Sequence, residues 1–373
     1  MKDTILFADC KETLSEFAPK SARTCVTSPP YYGLRDYGTA TWVGGDPNCN
    51  HRRDSKVKAE NCNTGHKNHD EMYGVGDAIY KTVCPKCGAI RQDSQIGLEE
   101  TPEEYIESLV NVFRSVRDVL TDDGTLWVNL GDSYYNYRPG KGQSYPKQSV
   151  SKTKQDLPDE CNKRGNKLDG LKEKDLIGIP WLFAFAMRND GWYLRQDIIW
   201  HKPNPMPESV RDRCTKSHEY IFLFSKNRKY HYDNEAIKEP AKDWGTRDRK
   251  NGKYHNEGTG LQPHSGLTKS YPTKNKRSVW SVTVKPYKEA HFATYPPDLI
   301  EPCILAGSEE GDTVLDPFMG AGTTAAVAKS LNRYYIGCEL NEGYGNLIQK
   351  RIQDYQPVNK VAQEPCINIL DII

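Results

Sequence analysis

The sequence lacks long apolar runs, and this absence excludes whole classes of protein. No part of the 373 residues approaches the ~18 uninterrupted apolar residues that a membrane-spanning helix requires. Hydrophobic residues make up 36% of the chain and the mean hydropathy is −0.77, so part of the chain must form polar loops or insertions. The first residues carry acids at Asp3 and Asp9 instead of the apolar core of a signal peptide. We therefore expect a cytoplasmic protein that does not associate with a membrane.

Cysteine is scarce, and so is any excess of charge of one sign. Eleven cysteines in 373 residues are far below the density of a disulfide scaffold, so clustered cysteines are better explained as metal ligands in a reducing compartment. The 51 Lys and Arg residues nearly balance the 50 Asp and Glu residues. Bulk charge therefore predicts no particular partner, and only the local distribution of charge can indicate one.

Short strands that alternate with helices are the main signal that the sequence does contain. Thr101-Pro-Glu-Glu104 has the capping-box pattern of a helix start, and apolar residues continue at helical spacing to Leu120. A turn at 122–124 then leads into a strand. This alternation predicts an α/β fold with a mostly parallel sheet. The predicted strands are 22–28, 125–130, 192–200, 219–224, 313–318 and 333–340, and two further helices are predicted at 177–187 and 323–331.

Three segments do not follow this alternation. Residues 44–95 are rich in Gly, Asn, His and Cys, and residues 133–175 are polar and rich in Lys. Residues 226–277 contain 13 Lys and Arg against 6 Asp and Glu. Long segments of this kind inside a compact domain are usually functional or disordered, so we interpret them as insertions into the α/β domain.

A glycine-rich motif, Asp316-Pro-Phe-Met-Gly-Ala-Gly-Thr-Thr324, lies between a predicted strand and a predicted helix. Gly320 and Gly322 allow a tight turn and a close approach of the backbone to a ligand, and the helix start offers unpaired N–H groups. Glu339 ends the next strand, 17 residues after Gly322, where a nucleoside-binding α/β unit has its ribose acceptor. An ordinary glycine turn beside a surface acid is the alternative, but the strand–turn–helix–strand–acid order favours a nucleoside site.

A second motif, Val26-Thr-Ser-Pro-Pro-Tyr-Tyr32, follows the first predicted strand. Two prolines fix the backbone, so the Ser28 hydroxyl and the Pro29 carbonyl become rigid acceptors. Tyr31 adds an aromatic face on which a base could stack. Acceptors aimed at an exocyclic NH₂ group beside an aromatic ring suit methyl transfer to an amino nitrogen. For this motif alone, the alternative is a cis-proline turn with a core tyrosine.

Together, the two motifs resemble those of the amino-methyltransferases of DNA, the S-adenosylmethionine-dependent enzymes of restriction–modification systems and phages. In that family a (D/S/N)-P-P-(Y/F) catalytic motif works with an F-x-G-x-G cofactor motif. Here the catalytic motif comes first, which is similar to the permuted order of the β class. The resemblance runs from Asp9 to about Arg351 and includes blocks at 126–133, 197–203 and 291–297. It implies a Rossmann-like methyltransferase fold with circularly permuted motif order, in a bacterial or phage-infected cell.

The resemblance also implies which residues form the site. The catalytic residues that it implies are Ser28, Pro29, Pro30 and Tyr31. The cofactor-binding residues that it implies are Asp9, Thr294, Pro296, Asp316, Phe318, Gly320, Gly322, Thr323 and Glu339. In this scheme Glu339 binds the ribose and Asp9 lies near the adenine amine. Because an amine attacks the methyl group directly, no covalent cysteine is needed, and we expect Cys25 to pack in the core.

A third group of residues has the spacing of a zinc site. Cys49-x-His51 is followed by Cys84-x₂-Cys87-Gly, and the second half is typical of a zinc knuckle. These four residues would complete a Cys₃His site, with Cys62, His66 and His69 as spare candidates. A structural zinc would order an insertion that has no core of its own, whereas free cysteines in a loop are the alternative.

Residues 226–277, which we call the basic segment, interleave aromatic residues with Lys and Arg. This composition suits contacts with phosphates and with unstacked bases. The basic segment lies where the family usually carries its target-recognition region. A solvated polar surface is the alternative. The residues that we expect to contact DNA are Lys242, Arg247, Arg249, Lys250 and Lys253.

The sequence thus predicts a site-specific DNA methyltransferase that uses S-adenosylmethionine and acts on the exocyclic amine of a flipped base in double-stranded DNA. Ser28 favours cytosine N4, since Asp is usual at that position in adenine-N6 enzymes of the family. The alternatives are an adenine-N6 enzyme, an RNA or protein methyltransferase, and a non-catalytic zinc-containing DNA-binding protein with a relic methylase fold. A cognate restriction endonuclease and a homodimer are left open.

The expected organisation is one methyltransferase domain interrupted by a zinc-binding insertion, a polar loop and a target-recognition region. The predicted divisions are the catalytic-motif part at 1–43, the zinc-binding insertion at 44–95, the continued methyltransferase domain at 96–225 with a polar loop at 133–175, the target-recognition region at 226–290, and the cofactor-binding part at 291–373.

Overall fold

The computed structural model describes residues 2–33, 37–51, 80, 82–135, 168, 170–241, 272–284 and 295–355. Among these residues, no helix is both long enough and apolar enough to cross a membrane. Several predicted residues lie outside the described ranges. They are the cofactor candidate Thr294, the spare metal ligands Cys62, His66 and His69, and the DNA-contact candidates Lys242, Arg247, Arg249, Lys250 and Lys253.

An eight-stranded sheet forms the centre of the described chain. Its strands, in the order in which they lie side by side, are β1 (Thr4–Leu6), β12 (Tyr334–Cys338), β11 (Thr313–Asp316), β2 (Ala22–Thr27), β5 (Leu120–Leu130), β7 (His218–Ser225), β6 (Tyr193–His201) and β10 (Val279–Ser281). Every neighbouring pair is parallel, except that β7 runs antiparallel to both β5 and β6. The prediction of an α/β fold with a mostly parallel sheet is therefore confirmed.

Two short hairpins lie outside this sheet. They pair β3 (Thr41–Val43) with β4 (Ile90–Gln92), and β8 (Glu239–Pro240) with β9 (Thr273–Lys274). The second hairpin and β4 fall in segments that the sequence marks as insertions, whereas β3 ends just before the first of these segments, so that insertion begins a few residues earlier than predicted.

Helices cover both faces of the sheet. They are α1 (Cys10–Thr13), α2 (Pro102–Val119), α3 (Ile179–Asn189), α4 (Pro297–Gly307), α5 (Thr323–Ser330) and α6 (Gly345–Asp354). Buried residues of α1, α2 and α3 share one core, and those of α4, α5 and α6 share a second core. Because successive strand residues face opposite sides, Leu126 and Val128 of β5 lie in the first core and Trp127 lies in the second.

The start of α2 agrees with its sequence signal. The Thr101 hydroxyl accepts the Glu104 N–H at 3.2 Å, and the Glu104 carboxylate accepts the Thr101 N–H at 3.3 Å. This reciprocal capping box satisfies two donors that a helix start would otherwise leave unpaired.

The boundary after α2 differs from the prediction. The strand β5 begins at Leu120, and the expected turn at 122–124 is a bulge inside the strand, where the register against β2 shifts. Arg23 of β2 forms an ion pair with Asp123 and so holds the bulged residues against the sheet. The tertiary contact therefore overrides the local turn signal of an Asp-Asp-Gly sequence.

Nine elements of the described chain have no counterpart in the sequence-based prediction: β1, β3, β4, β8, β9, β10, α1, α4 and α6. The helix α4 contains Pro297 in its first turn and Pro302 in its interior, and the latter normally argues against a helix. The burial of Leu299, Ile300 and Ile304 against the sheet stabilises it nonetheless.

The order of the strands brings the two sequence motifs together. The central strands β2 and β11 are parallel neighbours, with Thr24 opposite Val314 and Cys25 opposite Leu315. The catalytic motif follows the carboxyl end of β2, and the glycine motif follows the carboxyl end of β11. Since parallel strands end at the same edge of a sheet, this edge is where a ligand site is expected.

Candidate active site

A cavity of about 480 Å³ lies at this edge of the sheet, which is within the usual range for a small-molecule pocket. Both motifs contribute to its wall. The predicted site residues that line it are Asp9, Ser28, Pro29, Pro30, Tyr31, Phe318, Gly320, Thr323 and Glu339. The fold thus brings into one cavity residues that are far apart in the sequence.

Glu339 dominates the end of the cavity formed by the glycine motif, which we call the cofactor end. Its carboxylate accepts the backbone N–H groups of Gly320 at 2.7 Å and of Asn341 at 2.8 Å. Burial raises the pKa of Glu339 to about 7 in spite of these bonds. A buried carboxylate with free lone pairs at a cavity wall is a suitable acceptor for ribose hydroxyl groups.

Asp9 lies at the same end but has a different local role. It is the N-cap of α1, and its Oδ1 atom accepts the Lys11 N–H at 2.9 Å. The side chain is therefore fixed at the cavity wall by its own helix, with its second oxygen available to a ligand.

Asp316 lies beneath the cavity and is fully buried, instead of forming part of its wall. Its carboxylate accepts from the Thr27 hydroxyl at 2.6 Å, the Phe318 N–H at 3.0 Å, the Thr324 hydroxyl at 2.5 Å and the Tyr295 hydroxyl at 3.1 Å. Burial raises its pKa. With four protein donors on two oxygens, the side chain is a link between the ends of β2 and β11.

Gly322 and Pro296 also lie outside the cavity wall. Gly322 has φ of +79°, and a Cβ atom there would lie 2.8 Å from Ile348 of α6, so the glycine allows close packing of two helices. Pro296 is buried as the N-cap of α4. Its neighbour Tyr295 does line the cavity, although the sequence analysis did not single it out.

The catalytic motif forms the other end of the cavity, which we call the amine end. Peptide bonds in this motif are all trans. Ser28 Oγ lies 3.5 Å from Asn129 Oδ1. The Tyr31 hydroxyl donates to Glu219 at 2.8 Å and lies 3.1 Å from Asn129 Oδ1, while its ring lies against Gly131. Tyr31 is therefore anchored at both its ring and its hydroxyl group.

Three side chains at the amine end were not predicted as site residues. They are Asn129 on β5, Lys202 just after β6 and Glu219 on β7, and all three line the cavity. Lys202 forms an ion pair with Glu219 whose side chains are only 19% and 16% exposed. Asn129 and Lys202 fall within the family-like blocks 126–133 and 197–203. The sequence therefore marked these two positions as part of the resemblance, but it did not indicate what either residue does.

Cys25 is buried beside the catalytic motif, and burial raises its pKa well above the usual range. A thiol in this state is not a nucleophile, which agrees with the packing role expected from the sequence.

The four predicted metal ligands lie together at the β3–β4 hairpin. The ligand atoms of Cys49, His51, Cys84 and Cys87 lie within 4.8 Å of one another. Cys49 Sγ is 3.7 Å from Cys84 Sγ, and Cys87 Sγ is 3.5 Å from His51 Nδ1. The sulfur separation is too long for a disulfide bond. The Trp42 ring stacks on the His51 ring, with centroids 4.2 Å apart, and so fixes its orientation.

The fold and this cavity define an α/β protein with a nucleoside-type site at the carboxyl ends of its central parallel strands. The sequence profile described as DNA methylase matches residues 22–350. The chain therefore belongs to the DNA methylase family, the site-specific DNA amino-methyltransferases that its two motifs resemble.

Similarity to individual relatives extends over nearly the whole chain. The type II methyltransferase M.XycI of Xanthomonas campestris pv. cyanopsidis is 39% identical over 350 residues, which cover 94% of this chain and 87% of that protein. The type II methyltransferase M.SmaI of Serratia marcescens is 39% identical over 353 residues, which cover 93% of this chain and 90% of that protein. The solved structure of the cytosine-N4-specific PvuII DNA methyltransferase superposes with a TM-score of 0.54 at 16% identity, covering 95% of this chain and 88% of that one, so it shares the fold.

Proposed function

We propose that the protein transfers a methyl group from S-adenosylmethionine to the exocyclic amine of a base that is flipped out of double-stranded DNA, with cytosine N4 as the favoured target. The observation that carries this proposal is the single cavity that joins a nucleoside-type end to an end lined by Ser28 and Tyr31. A stacked base cannot reach a cavity below the protein surface, so the target base must leave the helix.

The cofactor end fits the nucleoside part of S-adenosylmethionine. Glu339 would accept hydrogen bonds from the ribose, and Asp9 would lie near the adenine amine. The turn at Gly320 allows close approach of the backbone, and Phe318 and Thr323 complete the wall. When bound, S-adenosylmethionine supplies an electrophilic methyl group. Asp316 would act indirectly, since its oxygens already accept hydrogen bonds from protein donors.

The groups at the amine end can increase the nucleophilicity of the target amine. An exocyclic amine is a poor nucleophile because its lone pair is delocalised into the ring. Acceptors for its two N–H groups draw the nitrogen towards sp³ character, and we assign that role to the Ser28 hydroxyl and the Pro29 carbonyl. The acceptors are useful mainly in the transition state, so they should affect turnover more than binding.

The choice of base rests on Ser28 alone. Among amino-methyltransferases of DNA, Ser at this position is associated with cytosine N4 and Asp with adenine N6. An adenine-N6 enzyme on the same scaffold is therefore the second candidate. Both candidates require the same cavity, so only the chemical identity of the product separates them.

A structural zinc ion is a further part of the proposal. Two Zn–S bonds of ~2.3 Å at the tetrahedral angle put their sulfur atoms about 3.8 Å apart. The separation of 3.7 Å between Cys49 Sγ and Cys84 Sγ is close to this value. With His51 and Cys87 the site would have four protein ligands and no open position, so its role would be to order the insertion at 44–95.

The remaining features of the proposal concern organisation and partners. The catalytic motif follows β2 and the cofactor motif follows β11, in agreement with a circularly permuted motif order. The basic segment within 226–290 is proposed to recognise the target sequence. A cognate restriction endonuclease and a homodimer remain proposals from the family resemblance.

One experiment tests the central proposal. Purified protein is incubated with methyl-labelled S-adenosylmethionine and either duplex DNA or RNA, and digested nucleosides are separated by mass spectrometry. We expect label in N4-methylcytosine from duplex DNA. Label in N6-methyladenine supports the second candidate, and label in RNA alone overturns the DNA assignment. No transfer to any substrate would favour the non-catalytic DNA-binding alternative.

A further inference from the structure

The Glu219 carboxylate at the amine end of the cavity is surrounded by the polar side chains of Lys202, Tyr31 and Asn129. The Lys202 ammonium occupies Glu219 Oε1, and the Tyr31 hydroxyl donates to Oε2 at 2.8 Å. Lys202 also lies 4.2 Å from the centre of the Trp200 ring. These contacts on both oxygens fix the carboxylate in one position.

The same carboxylate helps to set the direction of the Asn129 amide. Asn129 Nδ2 donates to the Tyr220 carbonyl at 3.1 Å and lies 3.4 Å from Glu219 Oε2. Because the NH₂ group faces these two acceptors, the amide oxygen must face Ser28 and Tyr31. Asn129 is 4% exposed, so solvent does not compete for these bonds.

Two acceptors held by Glu219 face the Ser28 hydroxyl. An amide oxygen can only accept, and the Tyr31 hydroxyl donates to Glu219, which lies closer to it, at 2.8 Å, than Asn129 does, at 3.1 Å. The Ser28 hydroxyl can therefore donate to Asn129 Oδ1, which lies 3.5 Å away, or to the Tyr31 oxygen. With its proton directed at either of these groups, Ser28 Oγ presents its lone pairs to the cavity.

We propose that Glu219 is a positioning residue for methyl transfer, which acts through Tyr31 and Asn129 to orient Ser28 Oγ as an acceptor for the target amine. This inference rests on the proposed function. It explains why a carboxylate paired with a lysine lies at the end of the cavity where no cofactor group needs a charge.

A double-mutant cycle between Glu219→Gln and Ser28→Ala tests the proposal. Single-turnover methylation of a target duplex and the Kd for S-adenosylmethionine are measured for each variant. We expect Glu219→Gln alone to lower the rate on the order of 10- to 100-fold, the scale of a misplaced reacting group, with cofactor affinity within about twofold of wild type. In the Ser28→Ala background the same change should lower the rate by less than about twofold, since the two residues act as a unit.

Equal effects of Glu219→Gln in both backgrounds would overturn the inference, because Glu219 would then act independently of Ser28. Asp122→Asn is the matched control, since Asp122 also forms an ion pair, with Lys20, but does not line the cavity. A wild-type protein without methyl transfer would instead contradict the proposed function, so the two failures are distinguishable.

A separate observation concerns the mouth of the cavity. Met206 lines the cavity and yet is 86% exposed, an unusual state for a large apolar side chain. It stands between Pro205 and Pro207, which restrict its backbone. The Asn204 side chain fixes this segment by donating to the Val284 carbonyl and accepting its N–H, both at 3.0 Å.

Basic side chains lie on the chain that continues from this segment. Arg211 is exposed, Arg213 lies 3.8 Å from the centre of the Tyr134 ring, and Lys216 donates to the Asp132 carbonyl at 3.0 Å. Cationic groups near an exposed apolar tip are the combination by which proteins hold a duplex and insert a wedge between its base steps.

We infer that Met206 enters the duplex at the target step and fills the space that the flipped base leaves. This second inference also rests on the proposed function. It is tested by single-turnover methylation with Met206→Ala and Met206→Leu, on a normal duplex and on a duplex whose target base lies opposite an abasic site. The second duplex needs no wedge because its target base is already unpaired.

We expect Met206→Ala to lower the rate on the paired duplex by about tenfold and on the abasic duplex by less than about twofold. The tenfold loss corresponds to a part of the free energy that is needed to unstack a base. Met206→Leu should retain activity on both. Val210→Ala, at another exposed apolar position of the same loop, is the control. An equal loss on the two duplexes, or no loss on the paired one, would overturn the inference, whereas an inactive wild type would contradict the proposed function.

Discussion

The two ends of the cavity are built from different parts of the chain and by different kinds of contact. The cofactor end comes mainly from residues 317–321, Thr323 and Glu339, and its hydrogen bonds involve backbone N–H groups. The amine end combines side chains from β5, from β7 and from the chain that follows β2 and β6, and its hydrogen bonds join side chain to side chain. A backbone site depends on local sequence, whereas a side-chain network depends on which strands are neighbours.

Removal of the acceptor at the amine end should produce the largest effect and should leave the cofactor end intact. We expect Ser28→Ala to lower the single-turnover rate by roughly 10²-fold, the scale of one preorganised hydrogen bond in an active site. The Kd for S-adenosylmethionine should stay near its wild-type value. Ser15→Ala, at an exposed position after α1 that does not line the cavity, is the control. A wild-type rate in Ser28→Ala would mean that the acceptors lie elsewhere.

The metal proposal concerns a third region that borders the cavity through Thr39 and Gln95. Purified protein should contain about one zinc per chain, and Cys84→Ser combined with Cys87→Ser should remove it. Because Trp42 stacks on His51, loss of the metal should also change the tryptophan fluorescence. Metal analysis that finds little zinc in protein prepared without chelators would contradict the proposal, and retained zinc in the double variant would move the site to Cys62, His66 and His69.

Asp316 joins the two ends, so its replacement should affect both. We expect Asp316→Asn to lower the free energy of unfolding by about 2–4 kcal/mol, because an amide cannot accept from all the donors that now surround the carboxylate. Methyl transfer and cofactor affinity should both decrease. Thermal unfolding, calorimetry and the transfer assay together check this. A stable variant that loses cofactor affinity alone would mean that Asp316 contacts the cofactor directly.

The cofactor end should be sensitive to pH through Glu339. In the proposed complex the ionised form of Glu339 accepts the ribose hydroxyls, so the affinity for S-adenosylmethionine should fall up to about tenfold per pH unit as pH decreases below about 7. The stability of the protein without cofactor should depend on pH in the opposite direction. Because folding raises the pKa of Glu339 from 4.5 to about 7, this group lowers the stability as pH rises between these values.

Calorimetric titration between pH 6 and pH 8 checks this expectation. Glu339→Gln should bind the cofactor weakly at every pH and lose the slope, while Glu342→Gln, at an exposed position nearby, should behave as wild type. A slope that persists in Glu339→Gln would assign the titration to another group.

The last expected effect concerns contact with DNA. Neutralising several of Lys242, Arg247, Arg249, Lys250 and Lys253 should weaken DNA binding and reduce its salt dependence by roughly one unit of slope for each phosphate that is no longer neutralised. Cofactor affinity should not change. A salt dependence equal to that of wild type would mean that these residues do not contact DNA, and would favour the alternative of a solvated polar surface.

The sequence predicted the elements with strong local signals. The capping box at Thr101 and the strand that ends at the catalytic motif agree with the structure. The strand β1 has three residues, too few for a periodic pattern, and α4 contains Pro302, so local rules could not find them. The bulge of β5 depends on the contact between Arg23 and Asp123, which are far apart in sequence.

The same division applies to the site. Gly320 and Glu339 could be found from their spacing, because a backbone turn and the end of the next strand form one local unit. Glu219 could not, since nothing near it in the sequence specifies a partner. Its importance depends on β7 lying antiparallel to β5, which puts it beside Asn129 and Tyr31.

The sequence by itself thus determined the family, the two motifs and the candidate metal ligands, because each depends on residues that are close together in the chain or have a fixed spacing. Only the tertiary structure decided that Asp316 and Gly322 lie outside the cavity wall and that Asn129, Lys202 and Glu219 lie within it. The physical reason is that the sheet order and the packing of helices set which side chains reach the same cavity, and neither is specified by any local segment of the chain.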